Sequence, residues 1–252
     1  MTQDQFDYYV INLDKDKVRW DRINQHLVDI GVSAQRISAV YAADLPVEDI
    51  QSVYTDAVNK QQFFMPLKPA EIGCFMSHLK TMKTFLETSD KPYAVILEDD
   101  VEFVRPLGHL QGQWLAAVNS SNPVMLKLYA RRPVDGNVCF KSGIDSTIRP
   151  RLVPLGTQAA VLNRAAAKQL LAAFNRFGMP VDVAYQHWWQ HGVNVLVTVP
   201  NHINEISEQV GGSNISQKAK LPFSYKAKRE LKRSWYRMQL SLKSRYNYWR
   251  TN

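Results

Sequence analysis

Apolar positions along this chain form either short unbroken runs or stripes spaced three and four residues apart. The run Tyr8-Tyr9-Val10-Ile11-Asn12-Leu13 predicts a buried strand, and Asp14-Lys15-Asp16-Lys17 is its polar exit. Trp20, Ile23, Leu27 and Ile30 then recur at spacings of three, four and three, which predicts an amphipathic helix stopped by Gly31 in a left-handed cap. Ile37 to Tyr41 reads as a second strand, so the chain opens β-α-β, the unit of a parallel sheet with covering helices. Pro69 starts a long helix running to about Glu87. Tyr93-Ala94-Val95-Ile96-Leu97 is five apolar residues in a row, as a central strand buried on both faces requires. A helix near His109–Val118 and a strand at Val124–Leu128 follow, and Arg131–Ile148 reads as a loop or an edge hairpin. Thr157–Leu162 is a further strand, with Asn163 as N-cap of an Ala-rich helix reaching Phe174. A short helix after Pro180 and the strand Val193–Val199 close the body, and Val210-Gly211-Gly212-Ser213-Asn214 reads as a flexible joint. The succession predicts an α/β fold with a mainly parallel sheet flanked by helices.

Length and composition narrow the class without changing this picture. The 252 residues, 45% hydrophobic and 21% charged, suit one large domain or two small ones with a sizeable core. Cys74 and Cys139 have no C-x-x-C partner, which argues for a reducing compartment and against a zinc ribbon. The first five residues have neither a basic nor an apolar region, so no secretory signal is visible. No apolar run approaches the ~20 residues of a membrane span. A secreted mini-protein, a collagen, a disordered chain and an integral membrane protein are excluded.

Charge does change the picture. Residues 217–252 carry eleven Lys and Arg against the single acid Glu230, a balance of +10, whereas the rest of the chain sums to −2. Leu231, Trp235, Met238, Leu242, Tyr246 and Trp249 line one face of a helix of about 25 residues there, with basic side chains on the other faces. We therefore divide the chain into a body, 1–216, and a basic amphipathic helical tail, 217–252. Such a helix with Trp and Tyr in its apolar stripe suits association with an anionic membrane surface. The competing reading is a helix packed on the body or on another subunit. Nucleic acid fits poorly, because no recognised module is present and the excess charge stops at the tail.

The strongest chemical signal is Leu97-Glu98-Asp99-Asp100-Val101, three carboxylates delivered to the carboxyl end of a fully apolar strand. Open α/β sheets bind ligands at that end. Clustered carboxylates repel one another unless a cation sits among them, and hard divalent ions bridge carboxylates to substrate phosphates. In an extended chain Glu98 and Asp100 point to one side, which makes them a possible acid-x-acid clamp. A solvated turn or a helix cap is the alternative reading.

Context carries the argument further. Tyr9-Val10-Ile11-Asn12-Leu13, Arg19-Trp20, Glu71-Ile72-Gly73-Cys74-Phe75-Met76-Ser77-His78 and Ile96-Leu97-Glu98-Asp99-Asp100-Val101 occur in this order. Gly156-Thr157-Gln158-Ala159-Ala160, Pro180-Val181-Asp182 and Ser213-Asn214-Ile215 follow them. Together they resemble glycosyltransferase family 25, the lipooligosaccharide-biosynthesis glycosyltransferases, over about residues 8 to 216. The resemblance implies a GT-A type, Rossmann-like fold and an inverting, metal-dependent transfer. The donor would be a UDP-sugar, commonly UDP-galactose, with UDP-glucose or UDP-N-acetylhexosamine as alternatives, and the ion Mn2+ or Mg2+. Ala160 stands where relatives often carry a tyrosine or other aromatic residue, and Ala166-Ala167 where they often carry Gly-Ala; if these positions border the sugar pocket, they bear on donor or acceptor preference.

Within that frame Asp100 is the leading direct metal ligand, with Glu98 and the late His202 as further candidates. Glu98 and Asp99 could also act through water or hold the ribose. Asn12 and Arg19 flank the nucleotide end of the first strand, and Arg19 could pair with a phosphate. Glu71, Ser77 and His78 share one helix, and the family pattern makes the face bearing Glu71 and His78 a nucleotide or sugar contact. Asp182 is the candidate base, with an N-cap as its alternative role, and Glu205 and Glu208 are fallbacks. Cys74 reads as core packing. Trp188 and Trp189 could stack on acceptor sugar rings. The expected whole is a bacterial enzyme on the cytoplasmic face of the membrane that galactosylates a lipid-linked oligosaccharide. A catalytically silent, membrane-tethered scaffold of a glycan-assembly complex is the rival from another class.

Overall fold

The structure is a computed structural model that describes residues 3–210 and 223–251. The expected joint beyond Val210, the Ser213-Asn214-Ile215 piece and the 216/217 boundary lie outside the described residues.

The opening unit forms as its pattern dictates. β1 (Phe6–Asn12), α1 (Lys17–Asp29) and β2 (Ala34–Ser38) make the β-α-β unit, β2 running parallel to β1. Gly31 has φ +76°, the left-handed conformation that a side chain would strain. β2 lies three residues earlier than expected and ends at Ser38, because Val40 is drawn out of the sheet onto the next long helix. Two short helices the sequence pattern does not announce follow, α2 (Val47–Val53) and α3 (Asp56–Gln62). α2 is short, with Ile50 and Val53 packed half-buried on the core, and α3 buries Asn59 rather than an apolar stripe.

α4 (Pro69–Thr88) then leads to β3 (Tyr93–Glu98), which pairs parallel with the other side of β1. Beyond β3 come β4 (Val101–Phe103), α5 (Leu107–Val118), β5 (Val124–Lys127) and the hairpin of β6 (Gly136–Ser142) with β7 (Asp145–Pro150). β8 (Ala159–Asn163), α6 (Arg164–Ala173), α7 (Val181–Gln186), α8 (Trp188–His191), β9 (Asn194–Val199) and β10 (Ile203–Glu205) complete the body. The Asn163 side chain accepts from the Ala166 N–H at 2.9 Å, the expected N-cap of α6.

Among the described residues eight strands form one sheet in the order β2-β1-β3-β8-β5-β9-β7-β6. Six of them run in one direction and β8 and β7 oppose them, so the sheet is mixed and mainly parallel. Side chains alternate across it. Tyr9, Ile11, Ala94 and Ile96 enter the core shared with α4, α6 and α7, while Tyr8, Val10, Val95 and Leu97 enter the core shared with α1 and α5. The result is a three-layer α/β architecture whose strand ends β1 and β3 converge on Asn12 and Glu98.

Why α4 carries so specific a sequence is now plain. A Cβ on Gly73 would lie 2.3 Å from the Val40 carbonyl oxygen, so only glycine lets the helix approach that backbone. One turn later Ser77 Oγ accepts the Val40 N–H at 2.8 Å and donates to the Gly73 carbonyl at 2.7 Å.

The last helix, α9 (Phe223–Arg250), has two apolar faces. Leu240, Ser244 and Tyr248, spaced by four, are buried against the body, and Tyr236 begins the same row. The Tyr248 hydroxyl accepts the Asn137 N–H at 2.9 Å, and Ser244 Oγ donates to the Arg151 carbonyl at 2.5 Å. The stripe expected to seek an apolar partner points away from the protein, leaving Leu231 73%, Trp235 61% and Trp249 70% exposed. Membrane and packing are therefore not competing uses of one face. No helix among the described residues is long and apolar enough to cross a membrane.

Candidate active site

Directly after β3 the chain turns, and this decides where the three carboxylates go. Glu98 has the parity of Ile96 and faces α4, whereas Asp99 and Asp100 leave the strand alternation and meet the guanidinium of Arg19 together. Arg19 Nη2 pairs with Asp99 Oδ1 and lies 3.0 Å from Asp100 Oδ2. The Glu98-x-Asp100 clamp expected from an extended chain is thus replaced by an adjacent pair, because the period of two ends with the strand.

Asn12 fixes the pair from the neighbouring strand. Its Nδ2 donates to Asp99 Oδ2 at 2.7 Å, while its Oδ1 accepts from Arg36 Nη2 at 2.6 Å. Arg22, one turn after Arg19, donates to the carbonyls of Asp99 at 2.8 Å and Val101 at 3.2 Å. Sequence reasoning missed both arginines, although Arg22 stands three residues after Arg19 on the same helix face.

Burial, and next the charge of Glu98, push Asp100 up to about 6 against the pull of Arg19. Burial also raises Asp99, opposed by the Asn12 hydrogen bond and Arg19. Asp100 Oδ1 is buried with no hydrogen-bond partner among the described residues. Two hard carboxylates, one with an unsatisfied buried oxygen, fit a divalent cation such as Mn2+ or Mg2+.

Glu98 anchors a second network. It accepts a hydrogen bond from Thr157 Oγ1, and His78 Nε2 lies 3.6 Å away. Burial raises its pKa, but His78, Thr157 and Arg19 outweigh that and leave Glu98 below the usual carboxylate range. Thr157 belongs to a turn held from beneath by Lys127, a buried lysine whose Nζ donates to the Pro154 and Gly156 carbonyls. Burial lowers the lysine to about 8. Gly156 has φ +96°, and its N–H donates to Asp182 Oδ2 at 3.1 Å. Asp182 Oδ1 accepts its neighbour's N–H, from Val183, at 2.8 Å, so the carboxylate also serves the first turn of α7. The Gly-Thr turn thereby ties Glu98 to Asp182. Lys127 was legible only as an odd cation closing an apolar strand.

Other candidates stand elsewhere. Glu71 accepts the Lys68 N–H at 2.7 Å and closes the start of α4, and the hydroxyl of Ser77 is spent on Val40 and Gly73. The helix start and the α4–Val40 contact thus occupy one Glu71 oxygen and the Ser77 hydroxyl, groups expected to touch nucleotide. His202 is fully buried, with Nδ1 accepting from Trp114 Nε1 at 2.9 Å and Nε2 3.4 Å from Asp145 Oδ1. It sits at the far end of the β10–β4 ribbon from Asp100, so it is no partner for the carboxylate pair. Glu205, opposite Val101, is nearer; it pairs with Arg131 at 2.7 Å, and its charge contributes to the shift of Asp100. Glu208 is exposed in the following turn, away from the network.

Cys74, His78 and Glu98 bring Sγ, a ring nitrogen and a carboxylate oxygen within 4.8 Å of one another. Burial raises the Cys74 thiol well above its ordinary value, with Glu98 and Asp182 adding to the rise. Asp99 and Asp100 offer carboxylate oxygens only, the donor set hard divalent ions prefer, whereas the Cys74 cluster offers a softer sulfur and nitrogen set.

Three comparisons with known proteins bear on the chain. The model of glycosyltransferase family 25, described as an LPS biosynthesis protein, matches residues 5–185. The chain is similar in structure to a crystal structure of a protein from STIV, with TM-score 0.43, 10% identity and coverage of 86% of this chain and 98% of that one. It is similar also to a Drosophila β1,4-galactosyltransferase 7 variant in complex with manganese, UDP-Gal and xylobiose, with TM-score 0.43, 11% identity and coverage of 89% and 79%. At these values neither likeness bears on the chemistry. No curated protein matches.

Proposed function

The chain belongs to glycosyltransferase family 25 and is a glycosyltransferase, and on that premise we propose that it moves galactose from UDP-galactose to a lipopolysaccharide-core acceptor with inversion. The observation that carries the reading is the Asp99–Asp100 pair under Arg19, with its unsatisfied Asp100 oxygen at the carboxyl end of the sheet. Asp100 and Asp99 would hold a Mn2+ or Mg2+ ion. When bound, such an ion supplies Lewis-acid stabilisation of the departing diphosphate, worth several kcal/mol. Arg19 adds positive charge at the same place and suits a phosphate oxygen.

In the transfer a bond forms between the acceptor oxygen and the anomeric carbon, and the bond from that carbon to the diphosphate breaks. The hydroxyl proton goes to Asp182, each of whose oxygens accepts one backbone N–H and keeps a lone pair. Lys127 and Thr157 hold the turn between donor side and base. With UDP-galactose and manganese, Asp182→Asn is expected to keep donor affinity and to slow transfer by about 100-fold or more. A fully active variant removes Asp182 as the base. Faster turnover of UDP-glucose or a UDP-N-acetylhexosamine in the same assay reassigns the donor.

The outward stripe of α9 supports a peripheral position on the inner face of the cytoplasmic membrane. Six apolar side chains from Leu231 to Trp249 remain exposed on a helix rich in Lys and Arg. Each basic residue near an anionic surface contributes about 1 kcal/mol, screened by salt. The full chain is expected to sediment with phosphatidylglycerol vesicles but not with neutral phosphatidylcholine. Replacing Trp235 and Trp249 by Ser should weaken binding by about 10-fold or more, and equal sedimentation with neutral vesicles would refute the electrostatic part.

A further inference from the structure

Tyr236 is the one member of the inner row of α9 that is not sealed into the core. Its ring stands 5.3 Å from that of Phe63, edge-on at 86°, and 5.4 Å from that of Phe64. Its hydroxyl lies 2.9 Å from His187 Nε2. From there the rings continue, His187 to Trp189 at 5.2 Å and Trp189 to Trp188 at 5.8 Å. All six rings are half-buried and follow one another ring to ring in one band. Trp188 Nε1 is a buried donor with no hydrogen-bond partner among the described residues.

The band borders the candidate base from two directions. His187 follows directly on α7, whose first turn holds Asp182, so five residues, about 7.5 Å of helix rise, separate them. The end of α3, which delivers Phe63 and Phe64, is stitched to the segment entering α7. Gly178 N–H donates to Gln62 Oε1 at 2.7 Å, and Asn59 Nδ2 donates to the Gly178 carbonyl at 2.7 Å. Burial raises the Tyr236 hydroxyl, and the Asp182 charge raises it further, which agrees with this proximity.

We propose that Phe64, Tyr236 and Trp189 form the acceptor subsite, a platform on which a pyranose ring of the incoming glycan stacks beside Asp182. The proposal rests on the glycosyltransferase reading and extends it by assigning the acceptor's place and giving the tail a share in it. A pyranose presents an apolar C–H face that suits an aromatic surface, while its ring-edge hydroxyls need polar partners. Tyr236 Oη, 2.9 Å from His187 Nε2, offers one such partner. Because α9 bears the outward Trp and Leu stripe and also contributes Tyr236, one helix would serve both the membrane surface and the acceptor of a lipid-linked glycan.

The test is saturation-transfer NMR on the full chain with methyl β-galactoside and methyl β-glucoside as probes, beside a UDP and manganese titration. Saturation of aromatic protons is expected to reach the sugar C–H protons in the parent protein. Tyr236→Ala and Phe64→Leu should each cut that transfer about fivefold or more, Tyr236→Phe should keep it, and UDP affinity should change by less than about twofold. Phe64→Leu preserves apolar bulk and leaves α9 untouched, so the test does not depend on the helix staying docked. Unchanged transfer in Phe64→Leu, or loss in Tyr236→Phe equal to that in Tyr236→Ala, would overturn the platform. Saturation transfer to the sugars without any UDP binding would instead count against the UDP-sugar donor and leave the platform standing.

Discussion

Asp100→Asn is expected to abolish manganese-dependent UDP binding, to slow sugar transfer by about 1,000-fold or more, and to melt above the parent protein at pH 7. The first two effects follow from removing the carboxylate with the unsatisfied oxygen, since stabilising a departing diphosphate is worth several kcal/mol and 1.4 kcal/mol is a factor of ten. The third follows from the pKa. Burial and Glu98 raise Asp100 to about 6 in the folded chain, above the ordinary value of 3.8. Between about pH 4 and 6 the unfolded chain has released this proton while the folded chain still holds it, so parent stability falls as pH rises across that window. Asn cannot ionise and escapes the fall. The variant should therefore match the parent near pH 4, gain steadily to pH 6, and stay ahead above it by on the order of 1–2 kcal/mol. Thermal melts from pH 4 to 7 without added metal read this directly. A variant less stable at pH 7 would mean that the contact with Arg19 outweighs the strain of gathering the acids.

Removal of α9 is expected to cost about 5 kcal/mol of stability, comparable to the whole folding free energy of many domains. Tyr248 and Leu240 are 2% and 5% exposed, and burying each contributes about 2 kcal/mol. The Tyr248–Asn137 and Ser244–Arg151 hydrogen bonds add about 1 kcal/mol between them. A chain ending at Val210 should be recovered insoluble or melt far below the parent. Two point variants separate the faces: Leu240→Ala should cost about 2 kcal/mol or more, and Trp235→Ser less than about 0.5 kcal/mol. A truncated body with parent-like melting would show that the inner row contributes nothing, and the helix would then be an appendage only.

These two expectations differ in how they could be read. The carboxylates are visible in the chain itself, because three acids after five apolar residues identify a strand end whatever surrounds it. The inner row of α9 is not. Tyr236, Leu240, Ser244 and Tyr248 are spaced like any helix face, and the outward stripe has the stronger apolar pattern. Similarly, α3 leaves no periodic signature, since it is held through Asn59 bonding to Met65 and Gly178 rather than by an apolar face.

Glu71 and Ser77 illustrate the same limit from the other side. Their motif is specific, yet it specifies how α4 begins and how closely it approaches Val40, leaving Cys74 and His78 as the members that face Glu98. Local patterning was enough to dictate the α/β succession, the left-handed stop at Gly31, the Asn163 cap and the delivery of acids to one strand end. Each depends on residues within a few positions of one another. The assembly of Glu98 with Thr157, of Asp99 with Arg19, and of Tyr236 with Phe64 depends on strand order and helix docking. Those contacts join residues 59, 80 and 172 positions apart, and no periodicity in the chain encodes which distant side chain will lie opposite.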